Sequence, residues 1–359
     1  MPFPLPRYRT GDPELDRQVA ELVEATGAVR HRDLLFEILA SGVRLGRDGT
    51  NRLDLKITSA ALREMRAAFR IFAPFEDVAK VTIFGSARTL PDDPLYQQTR
   101  EIASAMADEG WMVITGAGPG IMQAGMEGAG REKSIGVSIR LPFETGANEI
   151  IAGDQKLVSM KYFFTRKLML MKESKGFISL PGGFGTLDEV FELLTLMQTG
   201  KADPAPIVLV DFPGDHYWEA WERWVRDHVA SMGLISPSDL DLVFITDDVT
   251  AARDEIIGFW RNYHSIRWSS GRLVIRLHTE PTDAEVVTLN EEFGHLCTSG
   301  SIERSGPLPA ELTDDDVIDL PRLVMRFDQW QVSNLHRLVR ALNALPSAFR
   351  EGTGGSLSS

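Results

Sequence analysis

The chain has 359 residues, 43% of them hydrophobic and 25% charged, which at roughly 150 residues per domain predicts two or three domains with a sizeable buried core. Lys and Arg number 38 against 51 Asp and Glu, a net charge of −13; with no basic run to offset it, nucleic acid is not expected as a partner. The single cysteine, Cys297, excludes an intrachain disulfide and a Cys-based zinc site, and the absence of a signal-like start or of a run near the roughly 18–20 apolar residues that cross a bilayer predicts a cytoplasmic protein with no membrane partner.

Residues 1–75 read as a helical extension, with helical periodicity over 15–26 and 59–72. From Val78 onward short apolar, β-branched runs alternate with amphipathic helices. The runs fall at 81–84, 112–114, 135–139, 176–180, 207–210 and 242–245, the last after a Trp-rich helix near 217–229. Continuous apolar strands separated by helices predict a doubly wound parallel α/β sheet over 76–265, covered on both faces. Such sheets bind ligands at the carboxyl ends of their strands, so glycines that follow strands carry the most information.

A smaller α+β module is predicted over 266–348, with strands at 273–277 and 323–327 and helices at 283–296 and 332–345. Arg272, Arg276, Arg322 and Arg326 alternate with apolar residues on its two strands. The expectation is an arginine-bearing face in water, the alternative an anion site for a regulatory nucleotide. Residues 349–359, rich in Gly and Ser from Gly352, are expected to be a disordered tail. No repeat of 20–50 residues is visible in the chain.

Three loops follow three predicted strands. Leu180-Pro181-Gly182-Gly183-Phe184-Gly185-Thr186-Leu187-Asp188-Glu189 runs from a strand into a helix with Val190, Leu193, Leu194 and Met197 on its apolar face. Glycine-rich backbone turned inward at a helix N-terminus favours a phosphate, to which Thr186 adds a hydroxyl. Thr186 and Glu189 also have the spacing of a capping box, and the local sequence leaves cap and catalysis equally open for the carboxylate. The second loop, Thr115-Gly116-Ala117-Gly118-Pro119-Gly120, lacks the GxGxxG spacing and the downstream acidic residue of a dinucleotide site. The third, Phe84-Gly85-Ser86-Ala87-Arg88, offers Gly85 and Ser86 to a phosphate or sugar; Arg88 either joins them or lies in solvent. Arg166 and Lys167 lie on a helix predicted over 161–172, ahead of the strand that feeds the first loop.

Together TGAGPGIM, the Arg166-Lys167 pair and PGGFGTLDE resemble the LOG family, the cytokinin-activating phosphoribohydrolases and their bacterial nucleotide 5′-monophosphate nucleosidase relatives, often mislabelled lysine decarboxylases. The resemblance covers residues 80–212. It implies a Rossmann-like fold, a homodimer or higher even oligomer with the site near the subunit interface, and a nucleoside monophosphate substrate. It implies Arg166 and Glu189 as the catalytic pair. Gly85, Ser86, Gly116, Gly118, Met160, Lys167, Pro181, Gly182, Gly183, Gly185 and Thr186 are the expected substrate-binding residues. The N-terminal extension, the C-terminal module and the aromatic segment from Met160 to Arg166 depart from the short plant-like members and suggest a longer bacterial branch.

Breaking a purine N-glycosidic bond builds positive charge on the ribose, which a carboxylate can stabilise while it orients hydroxyls or takes a proton from water. That role falls to Glu189, kept ionised by the fixed charge of Arg166. No cofactor is expected, and the histidines show no metal-ligand spacing, so no metal is either. No lysine stands in a context that identifies a pyridoxal Schiff base. The alternatives are a non-catalytic nucleotide carrier or sensor on the same fold, and a DNA-processing protein against which the net charge argues.

Overall fold

A computed structural model describes residues 3–142 and 146–349; of the expected tail at 349–359, Phe349 instead closes a short 3-10 helix (Pro346–Phe349) and the remainder lies outside the described residues. The chain forms two compact units, Met1–Arg66 and Ala67–Ser359. In the first, Asp12 caps α1 (Pro13–Ala25) by accepting from the Glu14 and Leu15 amides, and Pro13 presets its first turn. Val19, Ala20 and Val23 of α1 pack against Phe36 and Ala40 of α2 (Arg32–Arg47). The next helix, α3 (Arg52–Phe72), leads into the second unit.

There the chain winds through β1 (Lys80–Phe84), α4 (Pro94–Asp108), β2 (Met112–Thr115), α5 (Ile121–Ala129), β3 (Ser134–Ile139) and β4 (Leu157–Met160). It continues through α6 (Phe163–Lys172), β5 (Gly176–Ser179), α7 (Phe184–Gln198), β6 (Ile207–Val210), α8 (Tyr217–Trp224), β7 (Val243–Thr246) and α9 (Val249–Gly258). All seven strands pair in parallel in the order β4-β3-β2-β1-β5-β6-β7. This is the doubly wound α/β sheet that the apolar runs predict. Winding proceeds one way from β1 to β4 and the other way from β5 to β7, so the topological switch point lies between β1 and β5. Both faces are buried: β1, β2, β5 and β6 are buried throughout, and Ile102, Met106 and Ile256 cover them from α4 and α9. The Trp-rich helix ends earlier than predicted, widening into a π-helical turn over Val225–Ala230.

The C-terminal module is richer in strands than its sequence suggests. It contains β8 (Tyr263–Ser269), β9 (Arg272–Leu277), α10 (Asp283–Phe293), β10 (Cys297–Ser305), α11 (Pro309–Asp314), β11 (Arg322–Phe327) and α12 (Val332–Ala344). Its antiparallel sheet has the order β10-β11-β9-β8. Leu273, Ile275, Leu323 and Met325 bury one face beneath Leu289 of α10 and Leu335, Leu338 and Leu342 of α12.

On the other face the expected wet arginine face does not form. Arg276 and Arg322, in register on β9 and β11, are buried and converge on Glu311 of α11 at 2.8 and 2.7 Å. Arg276 also reaches Asp316 at 2.7 Å. The anion between these arginines is the chain's own carboxylate, because a guanidinium taken out of water needs a partner. Only Arg272 and Arg326 face solvent.

Candidate active site at the switch point

The three glycine loops meet at the carboxyl ends of β1, β2 and β5. Leu180 donates to the Phe84 carbonyl at 2.9 Å and Ser86 to the Pro181 carbonyl at 3.3 Å, tying the loop after β5 to the loop after β1. Ile121, which opens α5, donates to the Ser86 carbonyl at 3.0 Å and adds the loop after β2. Gly116 and Gly118 are buried in that last loop, and Asn148 grips it through the Ala117 carbonyl at 2.8 Å and the Gly118 carbonyl at 3.0 Å. Gly85 and Ser86 are half-buried and Arg88 is exposed, its amide donating to the Ser86 hydroxyl at 3.1 Å.

The helix after the PGGFGT loop begins earlier than the capping-box spacing requires. Its N-cap is Gly183, so Thr186 lies inside the first turn and makes no cap with Glu189. That reading of the Thr186/Glu189 spacing is therefore set aside. Gly183 and Gly185 are exposed, and Phe184 between them is 93% exposed. Pro181 and Gly182 are half-buried, and a side chain at Gly182 would collide with the buried Thr186 hydroxyl. The first amides of a helix lack internal partners and carry its positive end, which equips this turn to hold an anion.

Glu189, on the next turn, is only 5% exposed. Its Oε2 has no hydrogen-bond partner among the described residues, and Lys167 Nζ stands 3.7 Å from it. Burial pushes the carboxyl up to about 7, against the pull of Lys167 and Arg166 and with Asp188 and Glu192 adding to the rise. The expectation that Arg166 keeps this group ionised is thus corrected: loss of water outweighs the nearby cations. Lys167 is buried as well and binds Asp188 at 2.8 Å and Glu192 at 2.5 Å. Burial alone would lower its ammonium, but these carboxylates hold it above its ordinary value. Arg166 sits at the mouth of the second loop, donating through Nε to the Val137 carbonyl at 3.0 Å. Its guanidinium occupies the place that a Cβ at Gly116 would need, which is why that position has no side chain. Met160, at the end of β4, is fully buried.

The structure thus brings Gly85, Ser86, Gly116, Gly118, Arg166 and the PGGFGT loop to one edge of the sheet, and sets Lys167 against Glu189. It adds two residues that the sequence reading does not find. Asp211 follows β6 and is 3% exposed; both of its carboxylate oxygens accept from the Trp218 amide, at 3.1 and 3.0 Å. Tyr217 donates its hydroxyl to the Gly182 carbonyl at 2.7 Å. The signal for Asp211 was its place just after an apolar run, at the same sheet edge as the glycine loops; Tyr217 had none.

Among the described residues no group of three or more His, Cys, Asp or Glu could hold a metal ion, and no helix is long and apolar enough to cross a membrane.

The profile of a family described as "Possible lysine decarboxylase" matches residues 120–256. The chain is 30% identical over 162 residues to the cytokinin riboside 5′-monophosphate phosphoribohydrolase of Mycobacterium tuberculosis, covering 44% of this chain and 83% of that protein. To the protein of the same name from Mycobacterium marinum it is 27% identical over 171 residues, covering 46% of this chain and 87% of the relative. Among solved structures, the molybdenum cofactor carrier protein of Chlamydomonas reinhardtii is 22% identical and covers 49% of this chain and 94% of its own. Its TM-score of 0.35 is too low to bear on fold or function.

Proposed function

The chain belongs to the LOG family of cytokinin riboside 5′-monophosphate phosphoribohydrolases, and we propose that it hydrolyses the N-glycosidic bond of nucleoside 5′-monophosphates to free base and ribose 5-phosphate. The observation that carries this reading is Glu189: a buried carboxyl with an unpartnered oxygen, titrating near neutrality, one turn beyond a glycine-lined helix N-terminus. A group divided between acid and base at neutral pH suits the transfer of a proton to or from water.

In this reading the 5′-phosphate docks on the amides of Gly182, Gly183 and Gly185 with the Thr186 hydroxyl, and its binding energy orients the sugar. The loops carrying Gly85, Ser86, Gly116 and Gly118 close around the nucleoside. As the glycosidic bond lengthens, charge grows on the ribose ring. The Glu189 carboxylate stabilises it and takes a proton from the attacking water, while the base leaves with the electron pair of the glycosidic bond and gains its proton from solvent. Arg166, wedged against Gly116, contacts the nucleotide from the opposite loop. Lys167 acts from behind Glu189, one ammonium set among the three carboxylates of Asp188, Glu189 and Glu192. The substrate class is adenosine-like monophosphates, N6-modified cytokinin nucleotides among them. A homodimer is part of the reading. Phe163, Phe164 and Leu168 of α6 and Phe184 and Phe191 of α7 are exposed apolar residues beside the site, suited to a second copy that completes it.

The test is release of free base, followed by chromatography, from AMP, GMP, CMP, UMP and N6-substituted AMP, with adenosine and Glu189→Gln alongside. Expected are release from a monophosphate, far slower release from adenosine, and loss of at least about a hundredfold in Glu189→Gln. Binding of nucleotides without release of base from any of them would replace this reading with that of a carrier or sensor.

A further inference from the structure

We infer that Tyr217 is a positioning residue that selects the anion-binding orientation of the Gly182–Gly183 peptide; the inference rests on the phosphate loop proposed above. A peptide with glycine on both sides meets little steric resistance to flipping, and each flip exchanges a carbonyl for an N–H on the ligand side. A carbonyl presented to a phosphate repels it; an N–H binds it. The loop therefore needs something outside itself to choose. Tyr217 supplies this by donating its hydroxyl to the Gly182 carbonyl at 2.7 Å. The described peptide bonds are all trans, so a carbonyl held towards Tyr217 turns the Gly183 N–H to the opposite side. Gly183 is the exposed N-cap of α7, where the N–H adds to the first-turn amides.

The hydroxyl is itself held by the sheet. The Tyr217 ring meets Trp218 edge-on, with centroids 4.8 Å apart at 89°. Trp218 is fully buried and its amide is taken by both oxygens of Asp211. Asp211 follows directly on β6, and Gln98 of α4 donates to its carbonyl at 3.1 Å. The end of β6 thus sets the start of α8, and the start of α8 sets the peptide of the neighbouring loop.

Tyr217→Phe removes the hydroxyl and keeps the ring. With AMP as substrate, KM and the inhibition constant of ribose 5-phosphate should rise about tenfold, the loss of one oriented hydrogen bond to an anion. Turnover should change less than about twofold, and inhibition by adenine, which lacks a phosphate, should not change. Thermal unfolding should shift by less than about 2 °C. A purely structural tyrosine would instead lower the unfolding temperature and weaken adenine and ribose 5-phosphate alike. An unchanged KM and ribose 5-phosphate constant, or an equal loss for adenine, overturns the inference. Calorimetric titration of both proteins with ribose 5-phosphate separates this idea from the reaction. Wild-type protein that releases no base, yet binds ribose 5-phosphate about tenfold more tightly than the variant, keeps Tyr217 in this role and removes the proposed reaction. Base release with identical constants in the two proteins does the reverse.

Discussion

Glu189 stores a cost to the fold that can be read from the pH dependence of stability. Its carboxyl ionises at 4.5 when free and at about 7 in the folded chain. Between those values the folded state holds a proton that the unfolded state has released, so stability falls as pH rises through the window. Above it the loss is complete, on the order of 3 kcal/mol. Glu189→Gln does not titrate and should melt several degrees higher than wild type at pH 8, with the gap closing towards pH 5. Thermal unfolding at the two pH values measures this, and a gap that ignores pH would mean that the folded carboxyl titrates normally. Thr186 and Glu189 stood out in the sequence because they lie at fixed offsets within a glycine loop and its helix, whereas Arg166, on a helix ahead of the strand, was singled out only by the family resemblance. The titration of Glu189 was not, since it depends on burial that only the packed chain creates. Tyr217 was invisible for a related reason: its partner Gly182 lies 35 residues away, with no local pattern to announce it.

At the scale of elements, α11 exists to deliver one carboxylate. Glu311 is fully buried, caps the turn at Leu308 and binds Arg276 and Arg322. Glu311→Ala would leave two buried guanidinium groups facing each other and should cost about 3–5 kcal/mol in urea unfolding. Replacing all three charges with apolar residues of similar volume should cost far less, which distinguishes an unpaired charge from lost packing. Which strands were legible follows from where they lie. β1, β2, β3, β5 and β6 are flanked by neighbours on both sides and read as continuous apolar runs. β4, β8 and β10 escaped the sequence reading, and all three are sheet edges. An edge strand is paired on one side only and tolerates polar residues, as in the Cys297–Ser305 stretch, so its apolar pattern fades. β7 is an edge as well, but its Val243, Phe244 and Ile245 keep the signal.

At the scale of the molecule, a chain with net charge −13 repels copies of itself unless an apolar surface overcomes the repulsion. The exposed Phe163, Phe164, Leu168, Phe184 and Phe191 beside the site offer one. Light scattering should find a dimer at micromolar concentration, and Phe164→Glu with Leu168→Glu should yield a folded monomer of reduced activity. A wild-type monomer with full activity would refute the shared site. Within the second unit, α12 reaches back to the parallel-sheet region. Arg340 bonds Glu255 at 2.8 Å and the Asp241 carbonyl at 2.5 Å, Ser333 bonds Asp239, and Asn343 takes the Asn262 and Tyr263 amides at 2.7 and 2.9 Å. A ribosome releases α12 only after every strand of both sheets. Until then Phe259 and Tyr263 lack the helix that covers them, and the nascent protein waits with a sticky seam open. Chaperone dependence during synthesis should therefore last until α12 has emerged, far along the chain from the chemistry.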